Sequence, residues 1–196
     1  MKTICVFGDS ITWGRGLASR VSWANLLRNH LEDKDPSAHL YDLGVDGNTT
    51  HDLLDRCEQE ALSRKPDTII WAIGVNDAAY RSSASNPLVS ESAFIKNLSL
   101  LFEKGSELSN QQFVIGITKG SDAHTMPLPD SKTGKSYEKA RVALYDDLLA
   151  QAAARAHLNY ISIAESLDDE DFYDGLHPNE AGHRKIFMKI QTELSP

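Results

Sequence analysis

The chain has 196 residues, 41% hydrophobic and 24% charged, with a formal net charge of -8. That length suits one ordinary domain spanning residues 1–196 with a substantial core, and the acidic balance without any Lys/Arg-rich run argues against a nucleic-acid binder. No run of about eighteen apolar residues exists and no signal-like stretch precedes the first strand, so no membrane span and a cytoplasmic location are expected.

In chain order, Ile4, Val6 and Phe7 form a short apolar run that stops at Gly8-Asp9-Ser10. This reads as a buried strand with a sharp turn at its end. Residues 12–16, with two glycines, read as a loop. Ser22 can cap a helix whose stripe is Trp23, Leu26, Leu27, His30 and Leu31. Leu40 to Leu43 make a weaker strand, ended by Gly44-Val45-Asp46-Gly47-Asn48. Thr49 or Thr50 can cap the next helix, which presents Leu53, Leu54, Cys57 and Ala61 to the core, and Pro66 ends it. Residues 68–73 are apolar on both faces, as a strand inside a parallel sheet requires, and lead into Gly74-Val75-Asn76-Asp77.

Residues 79–87 read as a surface loop, and a third helix starts near Ser90 with Phe94, Ile95, Leu98, Leu101 and Phe102 on its stripe. Residues 113–117 are a fourth strand. Residues 119–136 form a long polar loop, of the kind that often lines a site. Tyr137, Ala140, Leu144, Leu148 and Ala152 predict the core face of a fourth helix, and residues 158–163 a fifth strand. Asp174-Gly175-Leu176-His177-Pro178 precedes a last helix with Ile186, Phe187, Ile190 and Leu194 inward; His183 on its apolar side reads as structural. Cys5 and Cys57 fall on a strand and a helix face, and so are expected as buried, reduced thiols. Five strand–helix alternations predict a parallel sheet covered on both faces.

In that architecture the loops after successive strands meet at one sheet edge, where ligands bind. Four such loops carry chemistry. Ser10 can attack a carbonyl, His177 can take and return its proton, and Asp174 can hold the imidazole. The backbone N–H groups of Ser10 and Gly44 and the amide of Asn76 can receive the oxyanion, with Gly44 lacking a side chain to block approach. Taken singly, each of these segments also fits a turn or a helix cap. Rival motifs fail: Thr12 stands where a nucleophile elbow needs glycine, and Gly134-Lys135-Ser136 lacks a phosphate loop's first glycine, replaced by Pro129.

Together these segments resemble the GDSL, or SGNH, family of serine hydrolases. Gly8-Asp9-Ser10 matches its first block, 43–49 its glycine block, with Asp42 where an Asn is common, Gly74-Val75-Asn76-Asp77 its third, and Asp174 to Pro178, continued by Gly182-His183, its last. The resemblance implies a three-layer α/β/α sandwich of flavodoxin-like type with strand order 2-1-3-4-5. It also implies catalytic Ser10, Asp174 and His177, with Gly44 and Asn76 in the oxyanion hole. The implied partner is a small-molecule ester, short-chain or acetyl, with no cofactor and no metal. A catalytically silent carbohydrate- or small-molecule-binding protein and an acyltransferase are the alternatives on the same fold.

Overall fold

The computed structural model describes residues 3–129 and 131–194. Five parallel strands, β1 (Thr3–Gly8), β2 (His39–Gly44), β3 (Thr68–Ala72), β4 (Gln111–Ile115) and β5 (Asn159–Ile161), form one sheet in the order β2-β1-β3-β4-β5. That is the expected flavodoxin-like order. Five helices cover it: α1 (Trp23–Lys34), α2 (Thr50–Arg64), α3 (Glu91–Leu108), α4 (Lys139–Arg155) and α5 (Glu180–Leu194).

The side-chain period of two sorts each strand's residues between the layers. Ile4, Val6, Ile70, Phe113 and Ile115 pack beneath α1 and α5, against Trp23, Leu27, Ile186 and Ile190. Cys5, Phe7, Ile69, Trp71 and Val114 face the other way, against Leu53, Phe94, Leu98, Tyr145 and Leu149 of α2, α3 and α4. Both cysteines are buried and free, and burial pushes the Cys5 thiol up to about 12.

Local signals set the helix starts. Ser22 Oγ accepts from Asn25 N–H, and Ser90 Oγ from Ala93 N–H. Thr49 and Asp52 form a reciprocal capping box at α2. Three features differ from expectation. Residues 10–13, read as turn and loop, form a short helix, Ser10–Trp13. The two presumed loops meet as an antiparallel ribbon, Tyr80–Arg81 with Lys135–Ser136. On α4 the buried face is Val142, Tyr145, Leu149, Ala152 and Ala153, while Leu144 is exposed. This helix carries apolar residues on two stripes, so periodicity does not choose between them. The choice goes to the stripe whose Tyr145 hydroxyl reaches Val89 O at 2.5 Å. Among the described residues no helix is long and apolar enough to cross a membrane.

His183, on α5, is buried, and its Nδ1 accepts from the backbone N–H of Trp23 at 3.1 Å, joining the two helices of that layer. Burial, aided by the nearby His177, lowers its pKa to about 4. The unfolded chain therefore binds the extra proton between the ordinary value near 6.5 and 4. The stability this group contributes is full above about 6.5 and is lost as pH falls toward 4, on the order of 3 kcal/mol in all. His183→Asn keeps an acceptor for Trp23 but cannot titrate. Urea unfolding as a function of pH should show a shallower acid loss for the variant, by up to one proton over that window; an unchanged slope would exclude His183 as the acid-sensitive group.

Candidate active site

The site begins with register. Gly8 of β1 is aligned with Gly44 of β2 and Ala72 of β3, so three strands end side by side. Asp9 then caps the helix Ser10–Trp13, its Oδ1 accepting from Ile11 N–H at 2.9 Å. The backbone of this turn lies directly on the strand ends. A Cβ on Gly8 would stand 2.8 Å from Ala72 O and 2.1 Å from Thr12 Oγ1; one on Gly44 would stand 2.5 Å from Trp13 N and 2.8 Å from Asp9 O.

Ser10 Oγ lies 3.0 Å from His177 Nε2, and His177 Nδ1 lies 2.6 Å from Asp174 Oδ2. The other Asp174 oxygen accepts from the backbone N–H groups of Leu176 at 3.0 Å and His177 at 2.7 Å. Burial pushes the Asp174 carboxyl up, but the hydrogen bonds from His177 and Leu176 outweigh it and hold the group below the usual carboxylate range. An ionised carboxylate only accepts, so Nδ1 carries the proton and Nε2 is the acceptor for the Ser10 hydroxyl. The Tyr173 ring stacks on the imidazole, centroids 5.7 Å apart, and its hydroxyl donates to Arg15 O at 3.0 Å.

Asn76 sits in the short helix Val75–Ala78 that follows β3. Its Oδ1 accepts from Tyr137 OH at 2.9 Å and from Lys135 Nζ at 3.2 Å. An ammonium can only donate, which fixes the orientation of the amide. Nδ2 donates to Asn48 O at 3.1 Å and has a second N–H to offer. Asn48 is itself held by Arg56, whose Nε donates to its Oδ1 at 2.8 Å and whose other nitrogen reaches Leu43 O and Gly8 O. Asp77, fully buried, accepts from Thr50 N–H and hydroxyl at the start of α2, and burial lifts its pKa to about 7. Burial likewise lifts Asp9 to about 6, against the hydrogen bond from Ile11.

These groups border an open cleft of about 680 Å³ lined by Ser10, Gly47, Asn76, Lys135, Tyr137 and His177, among others. Of the residues singled out in the sequence, Ser10, Asp174, His177 and Asn76 are brought together. Gly44 is not. Its N–H donates to Asp42 Oδ1 at 3.0 Å, and what approaches its bare Cα is the chain's own 9–13 turn rather than open space. Asp42 thus fits where an Asn was expected, because the position needs only an acceptor. Gly47, read earlier as a turn glycine, lines the cleft instead, with φ +79° and a backbone N–H that has no partner among the described residues.

Sequence reasoning also missed Tyr137, Lys135, Arg56 and Tyr173. Tyr137 was placed on a helix face by its spacing; nothing local shows that its hydroxyl meets a residue 61 positions away. Lys135 drew notice only within a failed phosphate-loop pattern. Among the described residues no group of three or more His, Cys, Asp or Glu side chains is arranged to hold a metal ion.

The model of the GDSL-like lipase/acylhydrolase family matches residues 6–185. The chain belongs to that family. As a GDSL-like acylhydrolase it is a serine carboxylic ester hydrolase. It is 23% identical over 195 residues to "Esterase TesA" of Pseudomonas aeruginosa, a match covering 100% of this chain and 89% of that one. A 108-residue stretch is 29% identical to the "Uncharacterized lipoprotein YqeF" of Bacillus subtilis, covering 53% of this chain and 43% of that one. Among solved structures, TesA superposes with a TM-score of 0.79 at 19% identity, over 100% of this chain and 99% of that one. Axe2, an acetylxylan esterase from Geobacillus stearothermophilus, gives 0.78 at 18% identity, over 100% and 94%. At these identities the structural likeness speaks for the fold.

The packing of the GDSL-like turn on Gly44 is testable. Gly44→Ala inserts a methyl against backbone that cannot move without displacing Ser10, an overpacking that costs about 1–3 kcal/mol. The urea midpoint should fall accordingly; a variant as stable as the parent would show that the turn does not rest on this strand end.

Proposed function

We propose that this acylhydrolase cleaves short-chain carboxylic esters through Ser10, His177 and Asp174. The observation that carries the proposal is the hydrogen-bonded relay from Ser10 Oγ through the imidazole to an ionised Asp174. Ser10 Oγ forms a bond to the carbonyl carbon while its proton passes to His177 Nε2. Asp174 stabilises the resulting imidazolium and keeps it oriented. The tetrahedral intermediate collapses, the bond to the leaving oxygen breaks, and His177 returns the proton to the departing alcohol. Water then attacks the acyl-enzyme, giving a proton to His177; the bond to Ser10 Oγ breaks, His177 returns the proton to Oγ, and the acid leaves.

The developing oxyanion is assigned to the N–H of Ser10, the N–H of Gly47 and Nδ2 of Asn76, with Gly47 in the role first expected of Gly44. Both Gly47 and Asn76 line the cleft beside Ser10, whereas the Gly44 N–H is already engaged. That lining includes Ser131, Lys132 and Thr133 and only two aliphatic side chains, Leu128 and Pro129, which supports short acyl groups over long ones.

A fluorophosphonate should label Ser10, and Ser10→Ala should abolish both labelling and hydrolysis of a short-chain nitrophenyl ester series; turnover surviving in the variant would end the proposal. Asn76→Ala should lower kcat by about 10²–10³, the usual effect of losing one oxyanion donor, and a loss under about threefold would remove Asn76 from the hole.

A further inference from the structure

The cleft carries a cation that forms an ion pair with no carboxylate among the described residues. Lys135 lies on the ribbon formed with Tyr80–Arg81, its backbone N–H fixed by Ser131 Oγ at 3.0 Å. Its half-buried ammonium donates to Asn76 Oδ1 at 3.2 Å and forms no ion pair with a described carboxylate. An ammonium has three donors and carries a full positive charge. A carbonyl-type oxygen on Asn76 satisfies one donor and none of the charge. Burial and the neighbouring Arg81 lower the Lys135 pKa, while Asp9, Asp52 and Asp77 act the other way.

The remaining charges of the cleft are committed elsewhere. Arg15 pairs with Asp46 at 2.9 Å, and Asp174 with His177 at 2.6 Å. Lys132, exposed on the same lining, has no ion pair among the described residues. Among the described residues the uncommitted charge beside Ser10 is therefore positive, in a chain whose formal charge is -8. The Lys135 ammonium is hydrogen-bonded to the same amide whose Nδ2 is assigned to the oxyanion, and it lines the same cleft as Ser10, so an anion seated on it can belong to the small molecule whose carbonyl is attacked.

We infer that the site takes esters bearing a carboxylate within a few bonds of the scissile carbonyl, held by Lys135. This rests on the hydrolase reading above, so the test has one arm that needs turnover and one that does not. In the first, kcat/KM is measured for matched pairs: mono-4-nitrophenyl glutarate against 4-nitrophenyl pentanoate for an acyl-side anion, and 4-carboxyphenyl acetate against phenyl acetate for a leaving-group anion. In at least one pair the charged ester should be preferred by about tenfold or more, as a hydrogen bond to a charged partner gives. Lys135→Gln should erase that ratio and Lys135→Arg should keep most of it.

In the second arm, Ser10→Ala is titrated with monomethyl glutarate, methyl pentanoate, 4-carboxyphenyl acetate and phenyl acetate by calorimetry, with and without Lys135→Gln. Tighter binding of a charged ester than its neutral match, lost with Lys135, supports the inference even in a protein that hydrolyses none of them. Equal affinities, no detectable binding, or a charged-to-neutral ratio that Lys135→Gln leaves intact would overturn it. A uniform fall for both members of each pair would make Lys135 a positioning residue for Asn76 and likewise overturn the substrate assignment.

Discussion

The arrangement depends on a backbone turn lying against the ends of neighbouring strands with no side chain between. Gly8 and Gly44 are the contact points, and a Cβ at either would meet other atoms of the chain well inside van der Waals distance. Because β1, β2 and β3 end in register, the segments leaving them start from a common line. Ser10, the 45–48 loop and Asn76 are neighbours for that reason. A parallel sheet supplies this convergence whatever the chemistry; the two glycines allow Ser10 to sit low enough, on a capped turn, to be met by the His177 imidazole from the far end of the chain.

Around that turn the protein buries carboxylates and makes each useful to the backbone. Asp9 caps the turn that carries Ser10, Asp77 holds the start of α2 through Thr50, and Asp42 accepts from the Gly44 N–H. Burial raises all three, Asp42 to about 6, while in Asp174 the bonds from the His177 imidazole and from the His177 and Leu176 N–H groups outweigh burial and hold it low. In the proposed mechanism Asp174 must stay charged to serve His177, and its hydrogen bonds favour that form.

Asn76 shows how positioning is layered. Its oxygen is fixed by Tyr137 and Lys135, its nitrogen by Asn48, and Asn48 in turn by Arg56. Arg56 also reaches the carbonyls of Gly8 and Leu43, so the strand ends and the amide share one anchor. An amide free to rotate would spend part of its time offering an acceptor where a donor is needed.

Much of this was legible in the amino-acid order alone. Strand–helix alternation, Ser22, Thr49 and Ser90 as caps, and the apolar stripes of α1, α2 and α3 follow from residue types at fixed local spacings. So do Ser10, Asn76, Asp174 and His177, because each sits at the end of an apolar run or in a short turn of polar residues. What local order could not decide was which groups the loops would meet. The ribbon between Tyr80–Arg81 and Lys135–Ser136 and the hydroxyl of Tyr137 on Asn76 are pairings across long separations, and the outward face of Leu144 on α4 and the packing of the 9–13 turn on Gly44 depend on such contacts too. A glycine is the same letter whether its empty side receives a ligand or the protein's own backbone, and only the packed chain distinguishes the two.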